Sequence, residues 1–410
     1  MNKLMFVAVM ALGASTAFAG GDSDALKAIK SAKTYVEAEN LIKTNLGQLA
    51  NNEEKAKAYN KLVDLALEKV NKENSIIEKN MLNQQLKQGE QQPYDTLGFY
   101  NAVYTAISAG IECDQYDMMP NAKGKIKPKF HKGNQSRLFA IRPQLINAGQ
   151  GASNKKDAEA ALNNFGLYVS SAVAPLFKDV PNKPAYDQYL GEVARVASVY
   201  AFQNKKIDLA HKYVDIALQD TAKETHKEAI NLKSYLLTQG LTSKADTLKA
   251  INALKQLYVE EHGSDQIFGC LTTLYSNMKD KEELNKLINE KLQQDPKNFN
   301  ALAMKAQGLM NESKWDEAIK VYKEAVAVNG KDALILTYLG FCINAKAASI
   351  NNNVPEQKKL YTESMGYLEI ARSVDPNRQR ANWSYPLYQC YYSLYGTADS
   401  RTKEMETLNK

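Results

Sequence analysis

Apolar residues return at intervals of three and four along almost the whole chain, from about residue 24 to residue 394. This spacing gathers them on one face of an α-helix, so the pattern predicts helices throughout. The interruptions are short and contain Pro, Gly or Asn; they lie at residues 91–93, 180–182, 239–240, 295–296, 329–330 and 375–377. Because helices joined by such short connections pack as antiparallel neighbours, we expect an all-α fold.

Residues 299–332 hold two such helices in a pattern that recurs. The first, predicted at 300–311, carries Leu302, Ala306 and Leu309; after a turn at 312–314 the second carries Trp315, Ala318, Tyr322 and Ala325. Antiparallel helices approach closely only where their side chains are small, which places Ala306 against Ala318 at the crossing. One helix pair leaves an apolar stripe that a neighbouring pair must cover.

The pattern repeats with an offset of 34 residues on both sides. Residues 265–298 place Phe268, Leu271, Thr272 and Tyr275 on a first helix, and the segment from 333 places Leu336, Leu339, Gly340 and Ile343 there. In that last pair the second helix is delayed by twelve residues, which predicts an insertion near 345–359 that lengthens both helices. A further pair is predicted at 191–224 and a looser one at 225–264.

This pattern resembles the tetratricopeptide repeat (TPR), whose unit is 34 residues long. The resemblance covers about residues 191–394 and implies a right-handed superhelix of αα pairs, a TPR-type solenoid, over residues 181–396. In such an array the first helix of each pair lines a concave surface. The family's clamp for a C-terminal carboxylate uses Lys, Asn and Arg, but Thr273, Gln307 and Phe341 occupy one of its places here.

Polar residues not used in the crossings are predicted to line a partner-binding groove. They are Gln266, Asn300, Gln307, Asn311, Asn344, Arg380 and Tyr388. Amides with a few aromatics suit an extended peptide or a sugar, and plain solvated residues are the alternative. A C-terminal helix at 382–395 carries one Trp and five Tyr, which predicts a cap over the last repeat and an exposed aromatic patch, followed by a tail at 397–410.

Residues 20–180 are also helical in pattern, but they follow no clear 34-residue grid. Divergent repeats are expected, with helices at 25–46, 53–71, 73–88, 94–112, 137–147 and 157–177.

A basic loop is predicted at residues 113–135, the longest stretch without periodicity. It contains Lys123, Lys125, Lys127, Lys129, Phe130, His131 and Lys132. Alternating lysines line one edge of an extended segment, which suits an anionic glycan, a membrane surface or an acidic protein. A solvated, mobile loop is the alternative.

The first nineteen residues resemble a signal peptide. Lys3 precedes an apolar run at 4–14, and Ala17 and Ala19 supply a small-x-small cleavage site. The run is too short to span a bilayer, and no Cys follows the site for a lipid anchor. We therefore expect export to the periplasm or the exterior of a Gram-negative type of cell, with an uncleaved anchor as the alternative.

Nothing in the sequence predicts catalysis, a cofactor or a metal. The four Cys (113, 270, 342 and 390) and four His (131, 211, 226 and 262) lack ligand spacing, and nucleophile, phosphate-binding and dinucleotide motifs are absent. Buried thiols are expected, with a Cys342–Cys390 bridge as the alternative.

A net charge of +6, from 52 basic and 46 acidic residues, is too even for nucleic-acid binding. We expect a non-catalytic scaffold of the bacterial cell envelope that binds a partner polypeptide and does not span the membrane. A soluble glycan or small-ligand binder is the alternative.

Overall fold

The computed structural model describes residues 21–121 and 123–410. The predicted signal peptide, residues 1–19, lies outside the described residues. Within the described part, the chain forms twenty α-helices and two short 3₁₀ turns, with no strand. The all-α prediction is confirmed. The chain divides into two compact units, the first ending at Leu236 and the second running from Leu237 to Lys410. The boundary predicted after residue 180 falls inside the first unit.

The first unit is built around one continuous hydrophobic core to which every helix from α1 to α11 except α8 contributes. Its helices are α1 (Asp24–Ser31), α2 (Tyr35–Asn45), α3 (Asn52–Leu86), α4 (Thr96–Asp117), α5 (His131–Ile141), α6 (Gln144–Asn154), α7 (Ala158–Ala172), α8 (Lys183–Tyr186), α9 (Leu190–Gln203), α10 (Ile207–Ala217) and α11 (Lys223–Thr238).

Helices α3 and α4 form an antiparallel pair. The Cys113 thiol, near the end of α4, donates to the carbonyl of Ala56 near the start of α3, at 3.3 Å. Glu73 of α3 accepts from the amide of Asp95, the N-cap of α4, at 2.8 Å. Close approach is possible because both helices present alanines, including Ala66 and Ala106, to the core.

The predicted helix 25–46 is wrong, because α1 ends at Ser31 and α2 starts at Tyr35. Thr34 caps α2: its hydroxyl accepts from the Glu37 amide at 3.2 Å, and Glu37 in turn accepts from the Lys33 amide at 2.8 Å. This exchange is a variant of the capping box, which defines a helix start inside an amphipathic run.

The predicted break at residue 72 is also wrong, because α3 continues for 35 residues. The predicted helix 137–147 is instead divided at Arg142 and Pro143, since Pro143 has no amide hydrogen with which to continue the helical hydrogen bonds of α5. Arg142 is buried there, and its guanidinium donates to the Ser171 hydroxyl at 2.7 Å and pairs with Asp187. The helix predicted at 157–177 ends at Ala172 and is followed by a 3₁₀ turn.

The second unit continues with paired helices in chain order. They are α12 (Lys244–Glu260), α13 (Asp265–Asn277), α14 (Lys281–Gln294), α15 (Phe299–Asn311), α16 (Trp315–Val328), α17 (Ala333–Ser349), α18 (Val354–Val374), α19 (Ser384–Tyr395) and α20 (Ser400–Leu408). The first helices α13, α15 and α17 begin at residues 265, 299 and 333, so the predicted 34-residue spacing is confirmed.

The crossings use small side chains as predicted. Ala306 and Ala318 are fully buried in the α15–α16 pair. In the α17–α18 pair, Gly340 faces Leu368, and the Ser364 hydroxyl donates to the Gly340 carbonyl at 2.9 Å. Ser364 thus takes the role of Ala318 after the predicted twelve-residue delay. The insertion lengthens α17 to 17 residues and α18 to 21, as expected.

The C-terminal helices cover the last pair. Trp383 and Leu387 share a core with Leu336 and Leu368, which confirms the predicted cap. The prediction of a tail at 397–410 is wrong, because residues 400–408 form α20, whose Met405 is fully buried in the same core. The aromatic patch is present on α19, where Tyr385, Tyr392 and Tyr395 are exposed.

Candidate functional site

Helix α13, the first helix of its pair, has one buried face and one exposed face. Phe268, Leu271 and Tyr275 are buried, which confirms their predicted positions. The opposite stripe, at intervals of three and four, carries Gln266, Gly269, Cys270, Thr273 and Asn277. These positions share one helix face, so the side chains form a continuous row of polar and small groups.

This stripe forms the floor of an open cleft of about 810 Å³. The cleft is lined by the α13 stripe together with Thr238, Leu241, Thr247, Asp265, Leu274, Met278 and Asn300. A Cβ added at Gly269 would meet no atom within 4 Å, so the middle of the floor is open. The cleft therefore has room for a ligand against a flat stretch of helix.

Amide groups in the cleft are available for binding. The side chains of Gln266, Asn277 and Asn300 make no hydrogen bond to any other described residue. The Thr273 hydroxyl donates to the Gly269 carbonyl at 2.8 Å, which leaves its oxygen free to accept. The three amides can each donate and accept, so they fit a ligand that presents both kinds of group.

The cleft is close to electrically neutral. Its one ionisable carboxylate, Asp265, pairs with Lys291 at 2.6 Å and accepts from the Asn298 amide at 3.0 Å. The hydrogen bond from Lys291 holds the pKa of Asp265 below its usual range. Because this charge is already compensated, the cleft favours neutral polar ligands over ions.

The predicted groove residues do not all lie together. Gln266 and Asn300 line the cleft. Gln307 and Asn311 are exposed on α15 but are not among its lining residues, so their role stays a prediction. Tyr388 of α19 is half-buried and packs against the C-terminal core.

One predicted groove residue, Asn344, is wrong, and another, Arg380, does not lie on a first helix. Asn344 is buried: its amide donates to the Pro386 carbonyl at 2.9 Å, and its oxygen accepts from the Cys390 thiol at 3.2 Å. Arg380 lies in the connection after α18 rather than on a first helix, and it pairs with Asp332 at 3.2 Å. Asn344 is therefore a core residue, whereas Arg380 is exposed and its groove role stays a prediction.

Cleft residues missed by the sequence reasoning are Thr247, Cys270, Thr273 and Asn277. The signal for three of them was present, because 270, 273 and 277 continue the helical interval from Gln266. Thr247 could not be found this way, since it comes from α12 through tertiary packing.

The four cysteines are free, and Cys342 and Cys390 are not bridged. Burial raises the pKa of the Cys113 and Cys342 thiols to about 12 and that of Cys390 to about 11. Cys270 differs from the expectation of burial, because it is only half-buried at the cleft. Burial raises its pKa as well, so it is a poor nucleophile at neutral pH.

The basic loop is shorter and more ordered than predicted. Helix α4 continues through Cys113 to Asp117, and α5 begins at His131, so the described residues of the loop are 118–121 and 123–130. The buried Asp117 carboxylate accepts from the amides of Lys129, Phe130 and His131 at 2.8, 2.7 and 3.1 Å. These bonds fix the end of the loop at the start of α5.

Three of the alternating lysines lie around one cleft, while their alignment along one edge stays a prediction. Lys125, Lys127 and Lys129 line one cleft of about 440 Å³ beside Met119 and Tyr116. Lys129 pairs with Glu53 at the start of α3. Lys123 is exposed in the loop, His131 and Lys132 lie in the first turn of α5, and His131 Nδ1 lies 2.6 Å from the buried carboxylate of Asp114.

Among residues 21–121 and 123–410, no three His, Cys, Asp or Glu side chains are grouped so that they could hold a metal ion. In the same residues, no helix combines the length and apolarity needed to cross a bilayer.

Comparison with known proteins finds no matching family model and no matching curated protein. Solved structures with similar folds include a TPR protein of Bacteroides fragilis (18% identity, covering 62% of this chain and 99% of that one, TM-score 0.28). A signal-transduction ATPase with a TPR sensor from Pyrococcus horikoshii has 12% identity, 83% and 52% coverage, and a TM-score of 0.29. The TPR domain of P58(IPK) has 13% identity, 91% and 96% coverage, and a TM-score of 0.20.

These TM-scores are too low to carry an inference, so the repeat architecture stands on the helix pairs themselves. Three first helices begin at 34-residue intervals, and two of their pairs close over Ala306 and Gly340. The chain is an all-α helical-repeat protein with TPR-type helix pairs.

Proposed function

We propose that this protein is a non-catalytic interaction scaffold that holds an extended segment of a partner polypeptide in the α13 cleft. The observation that carries the proposal is the set of three unpartnered amides, Gln266, Asn277 and Asn300, around a neutral floor. A peptide backbone presents alternating donors and acceptors, which is the pattern that side-chain amides satisfy.

The dimensions support a short peptide. Gln266 and Asn277 lie eleven residues apart on α13, which corresponds to roughly 16 Å along the helix axis. An extended chain covers this length with about five residues. Leu241 and Met278 are half-buried in the lining and provide apolar contacts for alternate side chains.

The test uses the full chain to select binders from a random peptide library, followed by affinity measurement on cleft variants. Gly269→Tyr fills the open floor of the cleft. The selected peptides should therefore bind this variant at least about 2 kcal/mol more weakly, which is roughly a thirtyfold loss of affinity. Gly308→Tyr is the matched control, because Gly308 is on α15 outside the cleft and also has open space around it.

Peptides that bind wild type and Gly308→Tyr equally but not Gly269→Tyr support the scaffold. Because the cleft is neutral, their affinity should change little between low and high salt. Peptides insensitive to Gly269→Tyr would refute the cleft as the site. A glycan array is the parallel arm: sugar binding that Gly269→Tyr abolishes, without any peptide binding, would favour the glycan-binding alternative.

We also propose that the protein acts in the bacterial cell envelope, outside the cytoplasm. The support is the signal-peptide pattern of residues 1–19. Fractionation of cells expressing the full chain, with sequencing of the mature N-terminus, tests this. A periplasmic or secreted protein beginning at Gly20 is expected, and an intact cytoplasmic chain would contradict it.

A further inference from the structure

The basic loop carries an uncompensated positive charge. Residues 118–132 contain five lysines and no acidic residue. Lys129 pairs with Glu53, whereas Lys123, Lys125, Lys127 and Lys132 are exposed and form no salt bridge within the described part of the chain. The neighbouring Asp117 carboxylate accepts from three backbone amides, and Glu53 in the same cleft pairs with Lys129, so neither carboxylate forms a salt bridge with these four amines. Four ammonium groups are therefore free to meet negative charge.

Large apolar side chains stand exposed among these lysines. Ile126, between Lys125 and Lys127, is 56% exposed, and Met118 and Met119 are 43% and 42% exposed. A glycan offers partners for the amines but no apolar medium for Ile126, and an acidic peptide offers apolar contact only through individual side chains. The interface of a bilayer offers both, since phosphates and acyl chains lie within a few ångströms of each other there.

The loop is held in shape before any partner binds. The Asn121 amide donates to the Lys125 carbonyl at 3.0 Å, and the Gly124 amide donates to the Asn121 carbonyl at 2.8 Å. These bonds close a turn at the tip, and Ile126 follows it directly. A pre-ordered loop loses little conformational entropy on docking.

We propose that the basic loop docks on the surface of a phospholipid membrane that carries anionic headgroups. Lys123, Lys125 and Lys127 contact the phosphates, while Ile126 and Met119 enter the boundary between headgroups and acyl chains. This proposal is independent of the peptide-binding cleft, because the loop belongs to the first unit and the cleft to the second. Each can therefore fail without the other.

The charge component is tested by co-sedimentation of the full chain with vesicles. Phosphatidylcholine vesicles are compared with vesicles in which one third of the lipid is phosphatidylglycerol. Each lysine near an anionic surface contributes about fivefold in affinity, so Lys123, Lys125 and Lys127 changed together to Gln should weaken binding about a hundredfold. The matched control changes Lys72, Lys79 and Lys155 to Gln, which are exposed and form no salt bridge within the described residues.

The apolar component is tested at Ile126. Ile126→Ser should weaken binding to anionic vesicles about tenfold. Ile126→Trp should show a blue-shifted emission when vesicles are added, and quenching by lipids labelled near the headgroup. The two native tryptophans, Trp315 and Trp383, belong to the second unit, so the wild-type spectrum supplies the background.

Three results would overturn the proposal. One is equal binding to neutral and anionic vesicles. Another is binding that Ile126→Ser leaves unchanged, which would show a purely ionic contact of the kind an anionic glycan makes. A third is full competition by soluble glycerophosphate at millimolar concentration, which would show a site for a free phosphate group rather than a surface.

Discussion

Replacing Gly340 by Ala tests directly whether the α17–α18 pair closes over a residue that has no side chain. A Cβ at Gly340 would lie 2.5 Å from Leu368 Cγ and 2.7 Å from its Cδ2. Leu368 is fully buried, so it cannot move aside without disturbing the core. Overpacking of this kind lowers the free energy of unfolding by about 1–3 kcal/mol, whereas the higher helix propensity of Ala raises it by about 1 kcal/mol.

Two other helical glycines provide matched controls. Gly269 of α13 and Gly308 of α15 have nothing within 4 Å of an added Cβ. Gly269→Ala and Gly308→Ala should therefore stabilise the second unit by about 0.5–1 kcal/mol. The Gly340→Ala variant should be less stable than these two controls by about 1–3 kcal/mol, because all three gain the same helix propensity and only Gly340→Ala suffers overpacking.

Urea unfolding followed by tryptophan fluorescence measures the difference. Both tryptophans, Trp315 and Trp383, lie in the second unit, so the signal reports the unit that contains Gly340. In a Leu368→Ala background the Gly340→Ala change should become much less costly, because the colliding side chain is gone. If Gly340→Ala stabilises as much as the two controls, the close crossing does not exist.

Three further predictions follow from buried groups. Asn344→Leu should destabilise the second unit by about 1–3 kcal/mol, because the Pro386 carbonyl loses its buried donor; a groove residue would show no effect on unfolding. Hydrogen bonds from Lys69 and from the Asp95 amide lower the pKa of Glu73 in the folded protein. The ionised Glu73 carboxylate therefore stabilises the fold above its unfolded-state pKa of about 4.3, and this stabilisation is lost as the pH falls through its lower folded-state pKa. The difference in unfolding free energy between wild type and Glu73→Gln, measured by circular dichroism, should vanish on acidification; an unchanged difference at low pH would contradict this. A thiol reagent should modify Cys270 in the native protein and the other three thiols only after unfolding, as peptide mapping would show.

The helical repeat could be predicted from the sequence because the residue types at a few positions determine how each helix pair packs. Ala306, Ala318 and Gly340 are small where helices cross, and this requirement is visible in sequence. The error at Asn344 has the same origin: it lies four residues after Gly340 and therefore on the same buried face. Gln307 lies one residue after Ala306, about 100° round the helix, and is exposed as predicted.

Other features depend on tertiary context that a single sequence does not display. Helix α20 is mostly polar; Thr402 and Met405 are its buried residues, and Met405 lies in the core beside Trp383. The cleft needs Thr247 from α12 and Asn300 from α15 as well as the α13 stripe. The basic loop was predicted by composition, but its shape comes from the Asp117 carboxylate at one end and from the backbone bonds of Asn121 at the other.

The most direct test of the scaffold is photo-crosslinking from the cleft in cells that express the full chain. A photoreactive amino acid replaces Asn277, in the cleft lining, or Asn289, which is exposed on the second helix α14. We predict a polypeptide adduct, identified by mass spectrometry, from position 277 and none from position 289. Equal adducts from both positions, or none from 277 while a sugar binds the same cleft, would contradict the proposed function.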